Sequence, residues 1–317
     1  MAVRYSVIVP ILNEEESVDV LYSKVAEILD AAGLPFELIF VDDGSTDASF
    51  SKLSDLAAAD PRVVVLKFRK NYGQTAAMAA GIEYARGSVL VTMDGDLQND
   101  PADIPMMVSK IDDGFDMVIG WRINRQDKWL SRKLPSMIAN QLIGRITGLP
   151  VRDNGCSLKV YRANVIKRVP LYSDMHRFIP AMTLPVGARI AEVGVRHHAR
   201  QFGESKYGLS RIFKVLLDLI TIKTLLLFAR RPMRRFTGLA LSSAAAALLF
   251  AGPVLIGQGT AAAGSVMVYT SVSMLFGSLT LFLFLIGMVC SLIHRQIGPS
   301  DLYWQGGHSK SALPERE

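Results

Sequence analysis

Asp94 and Asp96 stand one residue apart at the end of the run Ser88-Val89-Leu90-Val91-Thr92-Met93, with Gly95 between them. Carboxylates at that spacing suit a hard divalent cation and the phosphates it carries, and the glycine lets backbone and ligand approach closely. Mg²⁺ or Mn²⁺ is the cofactor this chemistry points to. Taken alone, Asp-Gly-Asp also fits a polar turn, because turns favour the same residue types. The run before it is short, apolar and β-branched, which predicts a buried strand. The carboxylates then lie at a strand's C-terminal edge, where open α/β sheets bind ligands. A second acidic pair repeats the arrangement, since Phe36 to Val41 reads as a strand and leads into Asp42-Asp43-Gly44-Ser45. That pair could be only a turn and a helix cap. Two acidic clusters at two strand ends, however, would face one crevice of a doubly wound sheet.

The elements that must position these groups alternate. Tyr5 to Pro10 predicts a strand, and Ser17 to about Ala32 shows helical spacing of Val18, Leu21, Val25, Ile28 and Leu29 before Gly33. A helix to about Ala59 follows the second strand, then a strand Val63 to Phe68 and a small-residue helix Gln74 to Ala85. After the Ser88 to Met93 strand, a helix Ile104 to Ile111, a strand Asp116 to Gly120 and a further strand Leu158 to Tyr161 are expected. Such alternation predicts an α/β fold with a Rossmann-like, mostly parallel sheet. Neither G-x-G-x-x-G nor G-x-x-x-x-G-K-[ST] occurs, which argues against a dinucleotide site and a P-loop.

Half of the 317 residues are hydrophobic and the mean hydropathy is +0.26, high for a chain wholly in water. A membrane part is expected. The net charge of +6 comes with no nucleic-acid-binding motif, so anionic lipid and phosphorylated ligands are the expected partners, and nucleic acid is not. Cys156 and Cys290 are too far apart for a disulfide framework or a zinc site, and a cytosolic catalytic part is expected. His176, His197 and His198 are too scattered for a metal site and read as structural or surface residues. The N-terminal apolar run is too short for a signal sequence and meets Glu14 to Glu16 at once.

Toward the C-terminus, Ser210 to Phe228 carries a broad apolar face with lysines among it, which suits a pair of interfacial helices. Arg230, Arg231, Arg234 and Arg235 then precede an uncharged run from Thr237 to Gly257, and a second runs from Val266 to Ile293. Each is long enough to cross a bilayer, and the loop Gln258 to Ser265 is uncharged as well. The expected boundaries are a catalytic domain at 1–209, juxtamembrane helices at 210–236, a two-helix transmembrane hairpin at 237–293 and a tail at 294–317. By the positive-inside rule the arginines, the catalytic domain and the tail are cytoplasmic.

The ordered set VIVPILNEEES, VDDGSTD, KNYGQTAAMAAGI, ARGSVLVTMDGDLQNDP and RDNGCSLKVYR resembles family-two glycosyltransferases of the GT-A fold. Within them it is similar to the polyprenyl-phosphate glycosyltransferases, the group of dolichol-phosphate mannose synthase and the bacterial undecaprenyl-phosphate transferases of glucose and formamidoarabinose. The resemblance covers roughly residues 5 to 230 and implies a bacterial inner-membrane, multi-pass enzyme. Its implied reaction is inverting sugar transfer from a nucleotide-sugar, a UDP-sugar first, to polyprenyl phosphate. It further implies that Pro10, Leu12 and Glu14 contact the donor, although Leu12 stands where relatives often carry Tyr. Asp42 or Asp43 would bind the base or ribose, and Asp94 the donor near its ribose and metal. Asp96 and Gln98, with Asp94, match the metal ligands, while Arg122, Arg132 and Ser136 match positions that bind the acceptor phosphate. A helix Ser136 to Thr147 would present its N-terminus to that phosphate. Some relatives carry Asp where Cys156 stands, so Cys156 reads as a packed small thiol and no protein base is assigned there.

Two other functions fit parts of this pattern. A polysaccharide synthase would share the acidic motifs but would bring Q-x-x-R-W, which is missing from the sequence. A silent nucleotide-binding membrane scaffold would have no need of Asp94, Asp96 and Gln98 together. Whether copies of the chain associate is left open.

Overall fold

The computed structural model describes residues 3–123, 144–145, 148–149, 151–171, 175–199, 221, 224, 228, 232–255 and 263–295. Arg132, Ser136, the expected helix Ser136 to Thr147 apart from Gly144 and Arg145, nearly all of Ser210 to Phe228, Arg230, Arg231 and the tail from 296 lie outside the described residues. The chain divides into two compact units, Met1–Lys223 and Thr224–Glu317.

The first unit is built on seven strands: β1 Tyr5–Ile11, β2 Phe36–Asp42, β3 Val63–Lys67, β4 Val89–Thr92, β5 Met117–Arg122, β6 Lys159–Arg162 and β7 Ile190–Val195. They lie in one sheet in the order β3-β2-β1-β4-β6-β5-β7. All neighbours are parallel except at β6, which runs antiparallel to both β4 and β5. The central strands are mostly apolar because both faces are covered, and the pleat sends alternate residues to opposite sides. Val7 and Val9 of β1, Leu38 and Phe40 of β2 and Val91 of β4 join one buried layer. Their neighbours Ile8, Ile39, Val41 and Leu90 join the other.

Helices α1 Val18–Ala31, α2 Ser49–Ala59 and α4 Ile104–Asp112 contribute to the first layer through Leu21, Val25, Leu53, Met107 and Ile111. Helix α3 Gln74–Tyr84 and the short α5 Ala163–Ile166 and α6 Ile179–Thr183 supply the second through Met78, Ile82, Ile166 and Ile179. One turn is sterically demanding. Gly44 has φ +76°, and a Cβ there would come within 2.6 Å of the Lys70 carbonyl carbon. Backbone cannot swing aside as a side chain can, so Gly44→Ala is expected to destabilise the protein by roughly 1–3 kcal/mol. The midpoint of thermal unfolding should fall by several degrees, and an unchanged midpoint would contradict this packing.

In the second unit, α7 Pro232–Leu255 and α8 Ala263–Arg295 pair antiparallel. Ser243 Oγ donates to the Phe276 carbonyl at 2.9 Å, and Ser273 Oγ donates to that of Ala247 at 2.9 Å. Phe250 stacks on Phe276 with ring centroids 5.9 Å apart. Pro232–Leu255 and Val266–Leu292 are long and apolar enough to cross a membrane, and most of their large side chains are exposed. In water such a surface would be costly, whereas lipid tails solvate it freely.

Candidate active site

Sheet register decides which groups meet. Ile11 pairs with Asp42 and Ile8 with Thr92, so β1, β2 and β4 finish near one another at their C-terminal edge. Because β6 is reversed, its first residue Lys159 pairs with Thr92, which brings the preceding loop, Asp153 to Ser157, to that same edge. β5 ends there with Arg122, opposite Val195 of β7. The acidic clusters, the Asp153 loop and the segment after β7 therefore converge.

The two loops at the near side are interlocked. Asn13 N–H donates to Ser45 Oγ at 3.0 Å and Thr46 N–H to Asn13 Oδ1 at 2.8 Å. Glu14 N–H donates to Ser49 Oγ at 2.8 Å. The loop from Pro10 to Glu14 and the turn after β2 thus move as one body. Asn13 holds φ +54°, a left-handed conformation that asparagine tolerates better than most residues.

The adjacent Asp42 and Asp43, which the sequence leaves as alternatives, have different surroundings. Asp43 accepts from Tyr72 N–H at 2.7 Å and Gly73 N–H at 2.9 Å, so both of its oxygens tie down the turn before α3. Burial raises its pKa, and the two amides oppose that rise. Asp42 is fully buried; its Oδ1 accepts from Ser45 N–H at 3.1 Å, while Oδ2 has no hydrogen-bond partner among the described residues. A buried carboxylate oxygen without a donor is costly unless a ligand supplies one.

Asp94 lies just beyond β4. Its Oδ1 accepts from Gln74 Nε2 at 2.6 Å, and the Ser157 hydroxyl is near enough to favour its charged form. Burial and then the neighbouring Asp96 push its pKa up to about 6, against the Ser157 hydroxyl and the charges of Lys159 and Arg122. Asp96 is buried, and its Oδ1 accepts from Gln98 N–H at 3.2 Å. This bond spans Leu97, which is buried with φ +61°. A branched apolar residue in that conformation is strained, and such strain concentrates at functional loops. Gly95 lies between the carboxylates because a Cβ there would meet Ile11 Cδ1 at 2.6 Å.

Gln98 is joined to the segment after β7. His198 N–H donates to the Gln98 carbonyl at 2.9 Å, and Gln98 Nε2 reaches the His198 carbonyl at 3.5 Å. Arg196 forks onto Asp103, and His198 Nε2 lies 3.2 Å from Asp100 Oδ2. His176 Nδ1 is 2.8 Å from Thr75 Oγ1. The three histidines are packed against loops, with His197 bridging to Asn99. Cys156 is buried, and burial raises its thiol to about pH 11, which leaves it protonated and inert near neutrality.

Arg122 has a partner that its sequence position does not reveal. Its Nε donates to Asp153 Oδ2 at 2.6 Å and its Nη2 to Oδ1 at 2.9 Å. Lys159 is buried beside this pair and donates to the Cys156 carbonyl; burial lowers its pKa. Gln74, Asn99 and Lys159 are the neighbours of the site that sequence reasoning missed; Asp153 and Ser157 sit in the Arg152 to Ser157 loop, which the sequence places near the site without giving either a role. For Lys159 there was a signal, a lysine set among apolar residues in a strand buried on both faces.

No three of the described His, Cys, Asp and Glu residues come together as a metal cage. A nucleotide-associated cation does not need one, since it takes one or two carboxylates and completes its shell with phosphates and water. The donor set here fits that pattern, because Asp96 and Asp94 are close enough for mutual repulsion that a bound cation would relieve.

The profile of glycosyl transferase family 2 matches residues 6–170. The chain belongs to that family. It is 49% identical over 248 residues to a dodecaprenyl-phosphate galacturonate synthase of Rhizobium johnstonii, covering 77% of this chain and 73% of that one. It is 36% identical over 297 residues to an undecaprenyl-phosphate 4-deoxy-4-formamido-L-arabinose transferase of Enterobacter sp., covering 93% of this chain and 88% of the other. Among solved structures it is similar to a Mycobacterium tuberculosis glucosyl-3-phosphoglycerate synthase in complex with Mn²⁺, UDP and phosphoglyceric acid. That likeness has a TM-score of 0.55 at 17% identity and covers 70% of this chain and 77% of the other. It bears on the fold alone, and the fold is the expected GT-A arrangement. As a family-2 glycosyltransferase, the chain carries its acidic pairs at the sheet edge where such a fold binds ligands.

Proposed function

We propose that the protein transfers a sugar from a nucleotide-sugar, a UDP-sugar in the first instance, to polyprenyl phosphate, with inversion at the anomeric carbon. The observation that carries the chemistry is the convergence of Asp94, Asp96 and the unpartnered Asp42 Oδ2 at one sheet edge. Asp42 Oδ2 would accept an N–H or O–H from the base or ribose, and the Pro10 to Glu14 loop, with Leu12, would cover that end of the donor. Asp96, Gln98 and Asp94 would hold Mg²⁺ or Mn²⁺, which when bound offsets negative charge on the departing diphosphate. The acceptor class is supported by the relatives' names and by two helices apolar enough to reach lipid.

The acceptor's phosphate oxygen is the nucleophile. It is already anionic at neutral pH, so the chain needs to position it in line with the anomeric carbon rather than deprotonate it. Arg132 and Ser136 are the residues we assign to that phosphate. Arg122 would add its charge from the Asp153 pair, which fixes the guanidinium in place. The catalytic unit faces the cytoplasm, anchored by the α7 and α8 hairpin in the bacterial inner membrane, and Arg234 and Arg235 lie at its cytoplasmic end.

The test is to incubate the full chain, in vesicles containing undecaprenyl phosphate, with a panel of radiolabelled UDP- and GDP-sugars. Label should enter the lipid extract with at least one UDP-sugar. Label appearing only in polymer would contradict the reading. The acceptor assignment has its own check. Arg132→Ala should lower efficiency with the lipid by roughly ten- to a hundredfold, the scale of one charge-assisted phosphate bond, and leave donor binding unchanged. Arg132→Lys should recover only part, because an ammonium lacks the bidentate fork. Equal loss of donor binding in Arg132→Ala would move that residue to the donor side.

A further inference from the structure

Asp94 is held by a side chain 20 residues away in the chain. Gln74, the first residue of α3, donates its amide to Oδ1 at 2.6 Å. Asn99 Nδ2 donates to Ser157 Oγ at 2.7 Å, and the Ser157 hydroxyl, its own hydrogen left to donate, lies near enough to the Asp94 carboxylate to favour the charged form. Gln74 is itself fixed. The two amides before it are bound by Asp43, and the hydroxyl of Thr75 after it lies 2.8 Å from His176 Nδ1. Left to itself, a carboxylate with Asp96 as a near neighbour would rotate away from that charge. The Gln74 hydrogen bond opposes the rotation.

We propose that Gln74, with the Ser157 hydroxyl nearby, is a positioning residue that keeps Asp94 turned toward the donor and its cation. The inference rests on the function proposed above. It adds that the turn before α3, tied to Asp43, and the loop before β6 set the geometry of the acidic pair. Neighbours that orient a ligating group typically change metal affinity or activity by roughly ten- to a hundredfold when removed.

The experiment titrates Mn²⁺ into the full-length protein in detergent with saturating UDP and follows the EPR signal of free Mn²⁺. Gln74→Met keeps the length and volume of the side chain but removes the amide. It should weaken Mn²⁺ binding roughly tenfold or more and lower kcat, with the KM for undecaprenyl phosphate and the thermal midpoint unchanged. Ser157→Ala, which removes the nearby hydroxyl that favours the charged carboxylate, should act in the same direction and decides the matter if Gln74→Met does not fold. Asp96→Asn is the control. If it binds Mn²⁺ like the wild type, the cation assignment fails and the positioning role fails with it. If it loses Mn²⁺ while Gln74→Met and Ser157→Ala both bind the ion and turn over normally, the positioning role alone is overturned.

Discussion

Asp96→Asn should lower sugar transfer by roughly a hundred- to a thousandfold, the scale of removing one group that stabilises developing charge, and leave the fold intact. The substitution is nearly isosteric, and the amide oxygen can still accept from Gln98 N–H, the bond that spans the strained Leu97. What changes is the charge of a proposed cation ligand next to Asp94. The pKa of Asp94 should fall as well, because Asp96 is one of the causes that raise it. Excess Mn²⁺ should rescue little, since the loss is of a ligand and not merely of occupancy. Initial rates beside a melting curve check this. A variant that melts like the wild type and still transfers sugar at a tenth of its rate or better would remove Asp96 from the cation site.

The largest expected loss of stability lies at Asp153. Arg122 and Asp153 form a bidentate pair with side chains only 12% and 9% exposed. Breaking such a pair from one side leaves a charge stranded in a poorly solvated place, a cost of about 3–5 kcal/mol. Asp153 also accepts from Gly155 N–H at 3.2 Å, and its charge steadies the buried Lys159. Asp153→Ala should therefore lower the thermal midpoint by on the order of 10 °C. The double variant Arg122→Met with Asp153→Leu should recover part of that loss, because neither charge is then left alone. Additive losses would mean that the two side chains do not work as a pair. The pair also gives Arg122 a structural task whatever contact it makes with an acceptor phosphate.

Much of the scaffold was legible because its signals are local. The apolar run into Asp94-Gly95-Asp96 marks β4 and its edge, and the spacing from Val18 to Leu29 marks α1 to within a residue. The uncharged stretches after Arg235 reappear as α7 and α8. Other features depend on partners far along the chain. The reversal of β6 was not legible, because a short apolar strand reads the same in either direction. Asp42 and Asp43 were inseparable in sequence, since only the pairing of Asp43 with the amides of Tyr72 and Gly73 distinguishes them. Gln74 and Ser157 look like ordinary polar residues at a helix start and in a loop. Their importance comes from the sheet order, which sets α3 and the loop before β6 on either side of Asp94. Arg122 looked like a bare cation because its partner Asp153 is 31 residues away.

In the proposed reaction the lipid's phosphate oxygen attacks the sugar and a nucleoside diphosphate leaves. Its most direct test is to identify both products of one reaction between undecaprenyl phosphate and the accepted UDP-sugar, the lipid by mass and the nucleotide by chromatography. A lipid with one phosphorus and one sugar is expected, with UDP released in equal amount. A lipid carrying two phosphorus atoms together with UMP would mean that a sugar phosphate had been transferred, and would contradict that reaction.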